Sequence, residues 1–360
     1  MADWLSSMQQ TYEFYMVNPV TWKDSKLLSY VKACTINRDS SAETLGSATF
    51  DMTESIEESY VRVYLITIQN GVKEKHPLGT LLVQSPSSDF DGRVKTISAD
   101  AYTPLIELKE KQPPIGYSLM KNSSETIMDF AYKLADENAR AKVVPVKHEK
   151  TLDSNFVANA DDTWLSFLND LMATAEYKFD LDEMGRIMFK PDQKTATLQP
   201  VWTYTDDNSS ILQPDITIDR DIYGIPNVIE IAYSDGYLSS SGSKHYYKKV
   251  INNDPNSPTS IPSRGREIVK RITNPSFVGT PTENEVEEYA KKILKEASTI
   301  EYSITYTHGY CPVRLGDCVL LNYRRAGLKN IKAKVVHQSI KCEPGCPVTE
   351  KAVFTTELWG

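Results

Sequence analysis

The chain has 360 residues, of which 40% are hydrophobic, and its formal net charge is −8. This size predicts about two domains with buried cores, and the net negative charge argues against a groove for duplex DNA, which needs clustered Lys and Arg. No apolar run of about 18 residues occurs, so a membrane-spanning helix is not predicted. The first residues lack the pattern of a secretion signal.

The first part of the chain is rich in strand signals. Residues 1–27 are polar and aromatic without a clean period, and we expect an N-terminal arm or edge strand that lies against another part of an assembly. A first β-barrel or sandwich is predicted over residues 28–112, because several short alternating segments follow each other with turns between them. These segments are Leu28–Ile36, Ser47–Met52, Tyr60–Ile68, Thr80–Gln84 and Val94–Ala101.

Two details refine this first region. Tyr60–Ile68 carries apolar groups on both faces, so we expect it to be covered on both sides. Asp91-Gly92 predicts a two-residue hairpin turn, because Gly tolerates the positive φ that a type I′ turn demands.

Residues 113–199 predict a helix-containing middle domain. Asn122 and Glu125 have the spacing of a capping box, and apolar residues with a helical period follow. A second amphipathic helix is expected to begin near Asp162, and both helices should pack on a sheet. The segment from Tyr177 to Phe189 predicts a hairpin that could accept them.

The strand pattern then returns. Residues 200–237 together with 300–360 predict a second β-barrel, in which Ile300–Tyr306 alternates strictly. Residues 238–299 predict an inserted domain of loop and helix. Its helix follows Thr282, which forms a capping box with Glu285. The predicted fold class is α+β, mostly β, with two barrels joined by helix-containing domains.

Five cysteines are the main candidates for a metal site. Cys342 and Cys346 flank a Pro-Gly turn, and Cys311 and Cys318 could meet them in the folded barrel, giving a thiolate site for zinc or iron–sulfur. The alternative is that each cysteine is a small buried apolar residue, which this loose spacing favours. We therefore expect no metal and no other cofactor.

Other chemistry finds little support. The histidines are scattered, and His308 and His337 are interpreted as surface or barrel-rim residues. No nucleophile elbow, phosphate-binding loop or dinucleotide fingerprint occurs. The cluster Lys244–Lys249 is basic and aromatic, as in single-strand binders, but a solvated loop or an acidic protein neighbour explains it better. No catalytic residue is predicted.

The order of these regions resembles the baseplate hub proteins of bacteriophage tails. This group includes the T-even hub, the late-control protein D group and the N-terminal part of tail-associated lysins. The resemblance spans nearly the whole chain and rests on domain order and on three segments, which are Glu176–Phe189, Tyr223–Tyr233 and Val313–Tyr323.

The resemblance implies two barrels with the tail-tube fold and a homotrimeric ring. Six barrels in such a ring would imitate the sixfold tail tube above, while a spike or fibre docks below and DNA passes through a channel without specific binding. Implied partners are the tail tube or a distal tail protein, a tail-tip protein and a tape-measure protein. The implied location is the virion tail, assembled in the host cytoplasm.

Two further expectations complete the sequence-based hypothesis. The outer strands Tyr60–Ile68 and Ile300–Tyr306 should pair or pack with neighbouring subunits, and acidic residues should line the channel. Because lysins of this group carry a further C-terminal domain and this chain ends at Gly360, we expect a structural protein and no enzyme. The alternatives are a cell-wall-degrading or a carbohydrate-binding tail-tip protein.

Overall fold

A computed structural model describes residues 2–90, 92–93, 95–121, 124–207, 210–220, 222–234, 245–273, 275 and 281–357. Asp91 of the predicted turn, Asn122 of the predicted capping box and Lys244 of the basic cluster lie outside these residues. The chain forms two compact units. Unit 1 comprises Met1–Ile216 with Thr305–Ala352, and unit 2 comprises Thr217–Ile304 with Val353–Gly360.

Strands dominate the structure. They are β1 (Gln9–Val17), β2 (Asp24–Leu27), β3 (Val31–Asp39), β4 (Gly46–Met52), β5 (Ser59–Gln69), β6 (Val72–Phe90), β7 (Lys95–Tyr102), β8 (Ser118–Leu119), β9 (Phe156–Val157), β10 (Tyr177–Leu181), β11 (Ile187–Pro191), β12 (Pro200–Thr205), β13 (Leu212–Arg220), β14 (Val228–Ser234), β15 (His245–Ile251), β16 (Val269–Thr273), β17 (Thr299–Gly309), β18 (Cys318–Asn322), β19 (Ile331–Lys341) and β20 (Pro347–Glu357). The helices are α1 (Ile106–Glu110), α2 (Ile127–Asn138), α3 (Trp164–Ala173), α4 (Ile261–Arg264) and α5 (Glu283–Ala297). The predicted α+β, mostly β class is confirmed.

A 13-stranded sheet is the largest element. Its main path runs β13-β17-β20-β19-β3-β4-β7-β6-β5-β1-β2, and β18 joins β19 to β12 beside this path. Within the described residues the path does not close into a barrel. The strands of both predicted barrels instead join one sheet, because β19 pairs with β3.

The same strand order occurs twice in this sheet. Module A consists of β1–β7, and its strands follow the spatial order β3-β4-β7-β6-β5-β1 before the edge strand β2. Module B consists of β12, β13 and β17–β20, and its order is β13-β17-β20-β19-β18-β12. Each strand of module A except β2 therefore has a counterpart in module B, in the same chain order. The duplicated pattern is present as a duplicated topology.

The modules differ at two places. In module A a short loop joins β3 to β4, whereas 78 residue positions, 221–298, separate their counterparts β13 and β17. The last strand of the order also differs, because β1 runs antiparallel to β5 while β12 runs parallel to β18. The insertion contains β14, which the sequence placed in the second barrel but which belongs to a separate three-stranded sheet.

The strand β5 is buried on both faces, as predicted. Val61, Val63 and Leu65 belong to the core of module A, whereas Tyr60 contacts a second core that contains the helices. Both edges of β5 are paired, with β1 and β6. Since β17 likewise lies between β13 and β20, neither strand has a free edge for pairing with a neighbouring subunit, and packing of the two strands against a neighbour stays a prediction.

The N-terminal region belongs to the sheet, and its strand β2 is an edge strand, which is one of the two predicted alternatives. β1 pairs with β5 over nine consecutive residue pairs, from Gln9↔Ile68 to Val17↔Tyr60, so it is an integral strand of module A and no arm. Trp22 follows it and is buried against Tyr60, with 4.8 Å between ring centroids.

The middle helices pack as their patterns predict. Apolar residues of α2 and α3 share one core with Phe179 and Phe189 of the β10–β11 hairpin. The cap of α2 is Thr126, whose side chain accepts from the Asp129 backbone N–H, so the capping box predicted at Asn122 is wrong by four residues. α3 begins after a second capping box formed by Thr163 and Ser166.

Unit 2 contains the three-stranded sheet β15-β14-β16. α5 packs on it through Val286, Ala290 and Leu294, which contact Ile229 and Ile231 of the central strand. The predicted capping box of Thr282 and Glu285 is confirmed. No helix in the described part of the chain has the length and hydropathy needed to span a membrane.

Candidate assembly site

The seam between the modules is a continuous backbone ladder. Five antiparallel pairs join β3 to β19, from Thr35↔Lys341 to Asp39↔His337. The Ser40 N–H donates to the Val336 carbonyl at 2.9 Å, and the Cys342 N–H donates to the Cys34 carbonyl at 2.8 Å, extending the ladder at both ends. Such pairing fixes the register of β3 against β19.

Arg38 ties this seam to the rest of unit 1. Its guanidinium donates to the Gln338 side chain across the seam at 3.0 Å and to the Leu78 carbonyl of β6 at 2.6 Å. It also lies 3.6 Å from Glu183 in the β10–β11 turn, which forms a closer ion pair with Arg314 at 2.8 Å. One cation therefore links module A, module B and the middle hairpin.

Gln338 extends the hydrogen-bond network of Arg38 into the core of module B. Its amide nitrogen donates to the Val313 carbonyl at 3.0 Å and to Glu350 of β20 at 2.7 Å. The Glu350 carboxylate is fully buried and also accepts a short hydrogen bond from the Tyr306 hydroxyl. Buried carboxylates persist only where such donors replace water.

His308 supplies the opposite charge. Its Nε2 lies 3.5 Å from Glu350 and 3.1 Å from the Tyr204 hydroxyl, and its Nδ1 lies 2.7 Å from the Gly309 carbonyl. Burial alone would lower the pKa of His308, but hydrogen bonds with Cys311 and Glu350 and the carboxylate charge outweigh it and raise the pKa to about 10. The imidazolium is therefore the form present at neutral pH.

This cluster is a structural joint by its placement. Tyr204, His308 and Cys311 are all buried, so a thiol and an imidazole lie close together with no exposed surface at which a substrate could meet them. The interpretation of His308 as a surface residue is wrong. The sequence contains a signal for the burial of His308, because alternate residues of a strand lie on one face and His308 follows Ile304 and Tyr306 on the inward face.

The four candidate metal ligands are not brought together. Cys342 and Cys346 lie in the loop between β19 and β20. The Cys342 backbone N–H donates to the carbonyl of Cys34, a residue that the sequence did not select. Cys311 contacts Tyr204 at 3.3 Å instead, and all five thiols are buried. Burial raises the pKa of Cys346 to about 12, which disfavours a thiolate. Within the described ranges, no three His, Cys, Asp or Glu side chains form a metal-holding group.

Two strand edges contrast with the paired seam. β13 is the end of the main sheet and pairs there with β17, and most of its residues are exposed. β6 pairs with β5 up to Val83, while from Pro86 to Phe90 its only partner strand in the described residues is β7. All five of these β6 residues are exposed. Unpaired edges of this kind can receive another strand.

The sheet also has a face of small polar side chains opposite its core. Directly opposed residues of antiparallel strands share a face, so Thr49 of β4 lies between Thr35 of β3 and Asp100 of β7. The same face continues across the seam to Ser339 and Lys341. These side chains are at least partly exposed, and further members are Asn37, Ser47, Asp51 and Ser98.

Known structures with a similar fold come from phage tails. A tail protein from Neisseria meningitidis MC58 superposes with a TM-score of 0.62 at 13% identity, over 97% of this chain and 98% of that one. The 43 kDa tail protein of prophage MuSo2 from Shewanella oneidensis gives 0.62 at 12% identity, over 95% and 98%. The chain has the fold of bacteriophage tail proteins. The sequence-based resemblance is confirmed at this level.

A chain of a larger complex shares the fold over part of its length. The Francisella PdpA–VgrG complex matches 99% of this chain but only 54% of that chain, with a TM-score of 0.54 at 10% identity. No family model and no curated protein matches the chain. The likeness therefore lies in the fold, which the strand order displays, and is not carried by sequence.

Proposed function

We propose that this protein is a structural component of a tail baseplate or tail tip, in which three copies form a ring. The observation that carries this proposal is the repeated strand order of modules A and B in a chain with the tail-protein fold. Three copies then present six quasi-equivalent modules, so that one ring can meet a sixfold tube on one side and a threefold spike or fibre on the other.

The small polar face of the sheet supports a channel role. Ser, Thr and Asn side chains offer little to bind a phosphate backbone, while Asp51 and Asp100 repel it. Lys341 adds a positive charge to this face, directly opposite Thr35. If this face lines the ring, DNA would pass without being held.

The proposed partners follow from this placement. The tail tube or a distal tail protein would sit above the ring, and a spike, fibre or tail-tip protein below, with the tape-measure protein as a further neighbour. The proposed location is the virion tail, after assembly in the host cytoplasm. We propose no enzymatic activity, because the buried His308 and Cys311 pair serves as a joint.

Electron microscopy of the purified protein tests the proposal. We expect ring particles with threefold symmetry whose density fits six modules around a central opening, and mass photometry should give three times the chain mass. A stable monomer at every concentration contradicts the ring. Measurable turnover on purified cell wall would favour the lytic alternative, and a monomer that binds glycans would favour the carbohydrate-binding alternative.

A further inference from the structure

Module A contains a strand that corresponds to β19 of the β3–β19 seam, but no strand in the described residues takes the place of β3 beside it. In module B, β19 pairs with β18 through Ile331–Lys334 and then with β3 through His337–Lys341. In module A, the counterpart of β19 is β6, which pairs with β5 through Val72–Val83 and then continues to Phe90. By the same correspondence, the counterpart of β3 is β13.

We propose that Ser85–Phe90 of β6 in one copy pairs antiparallel with β13 of the next copy, repeating between copies the seam that β19 and β3 form within the chain. This inference rests on the proposed ring and identifies the surfaces that close it. The two edges lie at different places in the sheet, so the contact is head-to-tail, and a head-to-tail contact generates a ring when its rotation closes.

Burial supports the assignment. β3 is covered along its outer edge by β19 and buries Cys34 and Ile36, whereas β13 has the same length and remains mostly exposed. Ile218 of β13 is 40% exposed, and Phe90 at the end of β6 is 70% exposed. A two-stranded projection exposed in this way is marginal alone and gains stability from an added strand.

Prolines on both edges fit strands that stay unpaired until assembly. Pro86 lies within the projecting part of β6, and Pro214 lies in β13. Proline cannot donate to a ladder, so it is confined to edges and bulges and limits indiscriminate strand pairing. Each edge therefore keeps most of its donors while being protected against open-ended aggregation.

Crosslinking tests the contact. We expect Ser88→Cys combined with Ile218→Cys to give covalent dimers and trimers with a bis-maleimide that spans about 8 Å, the distance between diagonal neighbours of paired strands. The five native thiols are buried, so the wild-type protein treated with the same reagent gives the background crosslinking. The matched control is Ser88→Cys combined with Val269→Cys, since Val269 is 37% exposed on β16, and it should give no covalent trimer.

A charge substitution gives a second measurement. Ile218→Asp should weaken trimer formation by about tenfold or more, because it places a charge in the core of the contact, while Val269→Asp should stay within about twofold. A trimer that forms in the wild type but neither crosslinks through these positions nor responds to Ile218→Asp overturns the seam and leaves the ring standing. A protein that never forms a trimer overturns both.

Discussion

Modules A and B share a strand order but differ in the polar groups that they bury. In module A, the strands β4 and β7 bury Phe50, Met52 and Ile97, which are apolar. In module B, the corresponding strands β17 and β20 bury His308 and Glu350. A strand order can therefore be kept while polar residues replace apolar ones in part of the core, provided that every buried polar group has a hydrogen-bond partner.

The edges of the two modules differ for a different reason. β3 is covered because module B lies beside it in the same chain, and β13 is exposed because nothing in the described chain takes that place. The polar core and the seam are also connected, since Arg38 and Gln338 lead from β3 to Glu350. Module B therefore carries both the joint and the open edge.

The largest expected effect comes from the buried carboxylate. Glu350→Ala should lower the free energy of unfolding by about 3–5 kcal/mol, because it leaves the His308 imidazolium and two hydrogen-bond donors without an acceptor. Urea unfolding followed by circular dichroism measures it. Glu343→Ala, at an exposed position of the β19–β20 loop, should change the value by less than about 0.5 kcal/mol; equal effects would contradict the joint.

The pH dependence of stability should reveal the same pair. The pKa of His308 is raised from 6.5 to about 10 in the folded protein, so its stabilisation is complete below pH 6.5 and is lost as the pH rises through 10. We expect the wild type to lose more stability than His308→Gln between pH 7 and 10. His337→Gln is the control. If the difference in free energy of unfolding between the wild type and His308→Gln does not change with pH, the buried imidazolium is contradicted.

Module A should tolerate the loss of its buried charge better. Arg62 is almost fully buried and donates to Asp24 at 2.7 Å and to Thr80 at 2.8 Å. Asp24 retains about a quarter of its side-chain exposure, so water can replace the cation there. We expect Arg62→Met to cost about 1–3 kcal/mol, less than Glu350→Ala, as measured by the same unfolding experiment. The exposed Lys26→Met is the control, and a larger loss at Arg62 reverses the comparison.

The smallest effect lies in unit 2. Thr282→Ala removes the side-chain cap of α5 and should cost about 1 kcal/mol, because the helix keeps its buried contacts with the sheet. Thermal unfolding with a probe in unit 2 measures it, and Thr282→Ser should restore the stability. If Thr282→Ala lowers the stability as much as Glu350→Ala, the cap does more than accept hydrogen bonds from the backbone N–H groups of the first turn.

Periodic elements were predictable from the sequence. The stripes of α3 and α5, the cap at Thr282 and the hairpin Tyr177–Phe189 follow from local patterns that fold the same way wherever they occur. The burial of β5 on both faces was also visible in its residues. The cap of α2 is Thr126 with Asp129, and spacing alone could not select it, because the predicted pair has the same spacing.

Local patterns alone determined which segments are strands and helices, and that strand-rich regions occur twice. Only the tertiary structure decided that β1 belongs to module A, that β14 belongs to another sheet, and that Arg38, Gln338, Glu350 and His308 meet at one joint. The physical reason is that strand pairing and side-chain hydrogen bonds join residues as far apart as Thr35 and Lys341, and no periodicity along the chain records which distant partner completes them.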